Sequence, residues 1–493
     1  MEENKQVQKS FKDNYIFRAI IISVCVALVI FGRFIPPFGG LNGEAIAFFT
    51  TFLGTLILWL FISIDWPSIL CIASLCFLPS IGFTTGLAKS FGDSTFIFLM
   101  FTFIITYALS KTSFIKRIAI AFVNNKLAKS NGVLFVILYL TAVLILGLFI
   151  SPSVLFLVML PITNEIFAVA KIEKGDKVAK VIMLGLGFTV SISSGMTPIA
   201  HVFPVIAMKA SGVALDSFKY MAYAFPVGLL TFIVMLGILL LIIRPDTRKL
   251  KDADLSGIAN SLPKVTRNDI ITLVVFGLVI VFWILPELLQ YAAPDFYSAF
   301  KGWGTAMPAI VGACALFIIG TPSKKPILSV PDAFKNGIPW GSLVMCASTL
   351  LIGTVLGNEG VGIKAWLQSN LEVSLKALPI LALVIIFTLW AALQTNLSSN
   401  MVTAQLVSAV AASVLGIVAT PEQAAVLIPV VCGLIGMLAS FAFATPPSMP
   451  HIALVASSDY CSTKDTLIYG SILMIASVIL AVAVGYPLGM LIG

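Results

Sequence analysis

Four stretches of small polar residues interrupt long apolar runs in this chain. They are Ser151-Pro152-Ser153, Ser193-Ser194-Gly195-Met196-Thr197-Pro198, Thr395-Asn396-Leu397-Ser398-Ser399-Asn400-Met401 and Ala442-Phe443-Ala444-Thr445-Pro446-Pro447. None carries a formal charge, so the chemistry they offer is recognition by neutral groups. The hydroxyls of Ser151, Ser153, Thr197, Ser399 and Thr445 and the amide of Asn400 both donate and accept hydrogen bonds. A helix that restarts after a break also presents unpaired N–H groups and a partial positive charge. Such a terminus holds a carboxylate or phosphate without a lysine, while carbonyls at the other side of a break can hold a cation such as Na⁺. Ser151 to Thr197 spans 46 positions and Ser399 to Thr445 also spans 46, so the two pairs stand 248 residues apart. Serines and prolines also kink packed membrane helices with no further role. It is the repeated offset that points to a binding site built from two halves.

Apolar helices must hold these breaks. The 493 residues are 59% hydrophobic and 11% charged, against about a quarter charged in a soluble domain. Spans read at 15–35, 45–63, 66–86 and 94–112, and two arms at 131–150 and 153–170 flank Ser151-Pro152. A broken span at 181–210 and one at 220–243 follow. Arg244 to Asp269 is the longest polar linker and divides the halves. Then come spans at 270–291, 303–320 and 336–357, a second pair of arms over 377–418, a broken span at 424–457 and a last helix at 466–492. Each run is about the length that crosses hydrocarbon, and polar backbone breaks survive there only when buried in protein or lining a cavity. The expected fold is an all-α polytopic membrane protein with about 11 transmembrane helices plus two re-entrant hairpins in an inverted repeat. Two ordinary crossing helices would return the chain to the same side as a hairpin does.

Charge sets the orientation. With the N-terminus inside, all but Arg33, Lys89, Lys209, Lys219, Lys301, Lys364 and Lys376 of the 30 lysines and arginines fall on cytoplasmic segments, as the positive-inside rule requires. An odd number of crossings leaves the C-terminus outside. The first span has no small-residue cleavage site after it and reads as a retained helix. The net charge of +8 is thus a matter of topology and not of nucleic-acid binding. The seven cysteines sit mostly in apolar runs without metal-ligand spacing and read as packing residues. There is no phosphate loop, zinc-protease helix or nucleophile elbow, nor a cluster of catalytic carboxylates, histidines or cysteines, so the chain reads as no enzyme.

With those residues in view, the chain resembles the divalent anion/sodium symporter family of dicarboxylate, citrate and sulfate carriers. Phe149-Ile150-Ser151-Pro152-Ser153 with Leu160-Pro161-Ile162, and Ser398-Ser399-Asn400-Met401-Val402-Thr403, resemble its two hairpin tips. Met196-Thr197-Pro198-Ile199 and Ala444-Thr445-Pro446-Pro447-Ser448 resemble its two unwound loops. The resemblance implies a homodimer in the lipid bilayer of the cytoplasmic membrane, with a scaffold and a transport domain that moves like an elevator. Mapped here, the scaffold takes 1–128, and 129–244 is transport domain with the first hairpin and broken helix. The span 245–358 is linker and scaffold, and 359–493 is transport domain with the second hairpin and broken helix. The implied substrates are small dicarboxylates of the succinate, malate and 2-oxoglutarate class. They would be bound by Ser151, Pro152, Ser153, Gly195, Thr197, Pro198, Ser399, Asn400, Met401, Thr445 and Pro446.

The sequence departs from the family pattern in ways that bear on coupling. The family carries Ser-Asn-Thr at each tip; here Pro152 replaces the first amide and Met401 the second terminal hydroxyl. The implied Na⁺ positions, near Ser151, Gly195, Asn400 and Ala444, lose oxygen ligands, which favours exchange of one dicarboxylate for another over sodium symport. The only histidines, His201 and His451, each follow a Thr-Pro break. They are candidates for mimicking the cation or coupling to protons, or else for capping the short helices. A passive anion channel is the reading from another class, since broken helices also build filters.

Overall fold

The computed structural model describes residues 15–492 apart from 200, 211, 213–216, 252–256, 258–261, 290–292, 305, 321–324, 364, 367–368, 371–377 and 398. The charged N-terminal tail, Ala200, Asp216, Lys364, Lys376 and Ser398 therefore lie outside the described residues. Regular structure among the described residues is helical, with one isolated bridge between Gly320 and Pro326. Among the described residues, eleven helices are long and apolar enough to cross a membrane. Helices suit this solvent because each pairs its own backbone groups internally.

The chain divides into two compact units. The first comprises residues 1–93 and 340–377, with helices Tyr15–Phe31, Gly43–Phe61, Trp66–Cys76, Phe83–Ser90 and Trp340–Gly357. Asn42 caps the second of these, accepting from the Ala45 N–H at 2.8 Å. Arg33 donates to Ser74 Oγ at 2.9 Å, and Glu44 accepts from the Ser80 hydroxyl at 2.8 Å. The single span expected over 66–86 is two helices here. The first stops at Cys76 because Pro79 lacks an N–H and clashes with the preceding turn, and Gly82, at φ 75°, turns the chain into the next.

The second unit comprises residues 94–339 and 378–493 and holds all four polar interruptions. Its central helices fall into two matching sets. The first set is α1 (Gly132–Gly147), α2 (Pro152–Val169), α3 (Lys177–Met196) and α4 (Phe203–Ala210). The second is α5 (Ile380–Leu397), α6 (Asn400–Val418), α7 (Pro421–Ser440) and α8 (Pro450–Ala456). Around them run Ser94–Ser110, Ser217–Gly237, Arg267–Leu288, Met307–Ile318 and Thr463–Leu480. α3 is almost wholly buried, packed by α1, α2, Ser217–Gly237, α7 and α8. α7 packs against α4, α5 and α6. Both carry Gly, Ala and Ser on buried positions, which lets backbones approach closely where no hydrophobic force separates helix from lipid.

Candidate functional site

The breaks follow from local sequence. A residue before proline is forced out of the helical region, so α3 ends at Thr197 (φ −133°, ψ 149°) ahead of Pro198. In the second half the chain leaves α7 at Phe441, and Thr445 ahead of Pro446 takes nearly the same conformation (φ −119°, ψ 145°). A short 3₁₀ turn, Pro446–Ser448, lies within the second break before α8 begins at Pro450. The helices after the other two polar stretches restart in the same way. Ser151 stands before α2 with Pro152 as the first helical residue, where its missing N–H costs nothing. Ser399 caps α6 and accepts from the Val402 N–H at 3.4 Å.

Each break is fastened to its own tip. Thr197 Oγ1 donates to the Leu148 carbonyl at 2.7 Å, and Thr445 Oγ1 donates to the Asn396 carbonyl. Leu148 and Asn396 stand 248 residues apart, as do Thr197 and Thr445. One hydrogen bond therefore recurs at the offset read from sequence. The two broken helices also meet each other. A Cβ on Gly195 would lie 2.8 Å from the Phe441 ring and 3.0 Å from the Met437 carbonyl, so only glycine permits this approach. Tyr220 donates its hydroxyl to the Gly195 carbonyl, satisfying one of the acceptors freed at the end of α3.

The second break is held further by Asn396. Its Oδ1 accepts from the N–H groups of Phe443 and Ala444, both at 2.8 Å, and its Nδ2 donates to Ala392 at 2.9 Å. Thr395 adds a bond from its hydroxyl to the Ala439 carbonyl at 2.7 Å. Ser448 Oγ closes the 3₁₀ turn on the Thr445 carbonyl at 2.6 Å. The histidines differ in place. His201 is half-buried; its Nδ1 accepts from the Val202 N–H at 3.0 Å, and its ring lies on Phe203. His451 is buried, with Nε2 2.8 Å from Ser191 Oγ, which in turn donates to the Ala442 carbonyl at 3.1 Å. His451 Nδ1 is buried and has no hydrogen-bond partner.

The remaining candidate residues separate by burial. Pro152, Gly195, Pro198, Asn400, Met401 and Ala444 are buried; Ser151, Ser399, Thr445 and Pro446 are half-buried; Ser153 is exposed. Both amide atoms of Asn400 are buried without a hydrogen-bond partner. On the same helix, two residues that the motifs did not single out share this condition. Gln405 is 1% exposed with both amide atoms unpaired, and Ser408, fully buried, has an unpaired hydroxyl. Positions 401, 405 and 408 fall on one stripe of α6, one turn apart. A polar amide on a buried stripe was the available signal, because such a group is costly unless something hydrogen-bonds to it.

Helices long and apolar enough to cross a membrane, with paired breaks each bonded to a polar turn, are the build of a membrane transporter. The chain matches the citrate transporter family over residues 54–431, and it belongs to that family. It is also similar to an uncharacterized transporter of Haemophilus influenzae, 23% identical over 400 residues, covering 80% of this chain and 81% of that one. A sodium-dependent dicarboxylate transporter, SdcS, of Staphylococcus saprophyticus is 22% identical over 422 residues, covering 81% of this chain and 77% of its own.

Proposed function

We propose that this transporter carries small dicarboxylates of the succinate, malate and 2-oxoglutarate class across the cytoplasmic membrane, exchanging one for another. The observation that carries the reading is the recurrent bond from the break threonine to the tip carbonyl, Thr197 to Leu148 and Thr445 to Asn396. It ties the broken chain to the end of the preceding helix twice, four residues before α2 and α6 restart at Pro152 and Asn400, and paired restarts are how a membrane protein offers partial positive charge to a dianion without burying lysines. The named dicarboxylate relative supports the substrate class. On this reading Ser151, Ser399, Asn400, Thr197 and Thr445 bind substrate with the backbone at Pro152, Gly195 and Pro446, and Ser153, Pro198 and Met401 line the tips and loops.

The two hairpins and two broken helices form the transport domain, which moves like an elevator against the scaffold of a homodimer, with the N-terminus inside and the C-terminus outside. Exchange is favoured by Pro152 and Met401, which remove an amide and a hydroxyl from the tips. His201 and His451 are candidates for proton coupling, since His201 Nδ1 accepts from the Val202 N–H and so carries no standing charge. Sodium symport is the second reading. It is favoured by the sodium dependence for which the staphylococcal relative is named and by the unpaired amide of Asn400, with Na⁺ near Ser151, Gly195, Asn400 and Ala444. Counterflow of labelled succinate distinguishes a carrier from a channel. Saturable counterflow, competed by malate and 2-oxoglutarate, is expected; unsaturable flux without counterflow would establish a channel.

A further inference from the structure

Three separate segments of the second unit meet in one basic rim. The helix Lys126–Ser130 and the helix Arg248–Lys251 pack on each other and on the start of α1. The approach is close enough that a Cβ on Gly132 would fall 2.0 Å from the Thr247 carbonyl oxygen. The loop between α2 and α3 is tied to the same place by Lys249 Nζ on Asp176 Oδ2 at 2.8 Å, and Asp176 also accepts from the Glu173 N–H at 3.0 Å.

Part of the positive charge on these segments is matched. Lys174 pairs with Asp459, Lys180 with Asp465 and Arg248 with Asp246, each at 2.7 Å. Lys126, Lys129, Lys171, Lys177, Arg244 and Lys251 are exposed and make no ion pair among the described residues. Large apolar side chains adjoin them in the open. Leu241 is 71% and Ile242 56% exposed just before Arg244, Leu127 is 64% exposed between Lys126 and Lys129, and Val169 is exposed two residues before Lys171. Exposed apolar groups beside unpaired cations mark the boundary between acyl chains and headgroups.

The backbone adds a second observation. Lys171 (φ 51°) and Arg244 (φ 53°) are the non-glycine residues in the left-handed region among those described. Each stands just past a helix end, where glycine is the usual and less costly residue. The fold thus accepts strain at two points of this rim to place a cation there.

We propose that this rim binds the headgroups of anionic phospholipids in the adjoining leaflet. Clustered cations next to a membrane span gain roughly fivefold in binding each from anionic lipid, and headgroup phosphates suit the lysine and arginine donors. The proposal does not depend on which substrate is carried.

The test is native mass spectrometry of the full chain released from mixed micelles of phosphatidylglycerol and phosphatidylcholine. The intact protein should retain phosphatidylglycerol over phosphatidylcholine severalfold. The triple variant Lys126→Gln/Lys129→Gln/Lys177→Gln should weaken that retention on the order of a hundredfold, while the matching Lys→Arg triple keeps it. Lys171→Gly/Arg244→Gly separates binding from folding: its melting temperature should hold or rise while lipid retention falls. Equal retention of the two lipids by the intact protein, or unchanged retention in both charge-removing variants, would overturn the proposal. Displacement of the lipid by inorganic phosphate at equal concentration would instead establish a free-anion site and also refute it.

Discussion

At the first tip, Leu148 offers Thr197 a carbonyl and has no polar side chain, whereas at the matching position of the second tip Asn396 offers the same carbonyl and an amide besides. That amide holds two N–H groups of the unwound loop and returns a bond to its own helix. The difference extends into the helices that follow. Pro152 and Ser153 in the first half stand where Asn400 and Met401 stand in the second. Leu157, 58% exposed, matches the position of the buried Gln405. The first break is short, running from Thr197 to Val202, while the second runs from Phe441 to Met449 around a 3₁₀ turn. Two halves with a common plan therefore solve the same problem differently: the first with the Thr197 and Tyr220 hydroxyls on backbone carbonyls, the second with a buried side-chain amide besides. A buried polar group is held at a cost, so the second half is where selectivity and coupling are expected to reside.

The comparison is broken most severely at Asn396. Replacing it by Leu, the residue its counterpart already uses, leaves the N–H groups of Phe443 and Ala444 unpaired. The expected cost is about 2–6 kcal/mol, from about 1–3 for each buried unpaired group. The melting temperature in detergent should fall sharply and uptake should vanish, while Leu148→Asn in the first half should be mild. Equal effects of the two would erase the asymmetry.

Next in size is the tip itself. Ser399→Ala with Asn400→Ala should abolish dicarboxylate uptake and lower stability only by the lost Ser399 cap, about 1 kcal/mol, since the Asn400 side chain makes no hydrogen bond within the protein. Normal uptake in the double variant would remove the second tip from the site.

Gln405→Leu should act oppositely on stability and function. Removing an unpaired buried amide is expected to stabilise the fold by on the order of 1–3 kcal/mol, with uptake several-fold lower, as when a costly polar group is kept for activity. A variant that melts lower would mean that Gln405 is a structural bond-former after all. The smallest effect is expected at Met401→Thr, which restores a hydroxyl to the tip. Stimulation of uptake by sodium should be equal to or above that of the parent, and a loss of stimulation would contradict the reading of this position.

Much of the framework could be read from residue order. Apolar runs gave the helices, and the Thr-Pro pairs gave the breaks, because a proline constrains the residue before it wherever it occurs. The 248-residue offset reappears in the structure as a repeated hydrogen bond. The break after Cys76 escaped notice because Leu78-Pro79-Ser80-Ile81 keeps an apolar average while its proline and the following Gly82 end the helix. Asn396 lay inside the second motif, yet its partners Phe443 and Ala444 are 47 and 48 residues away. No spacing rule joins a side-chain amide to the backbone of a loop that does not exist until α7 ends. Gln405 and Ser408 looked like ordinary polar positions of an amphipathic helix, and only burial without a partner sets them apart. The same holds for Ser191, an ordinary small residue of α3 until His451 is placed against it.

The most direct test of the account is uptake of labelled succinate into proteoliposomes, either preloaded with unlabelled dicarboxylate or empty, with and without an inward sodium gradient. Exchange predicts rapid uptake only into the preloaded vesicles, indifferent to sodium. Concentrative uptake into empty vesicles, driven by the sodium gradient, would contradict it and make the chain a symporter whose cation sites survive Pro152 and Met401.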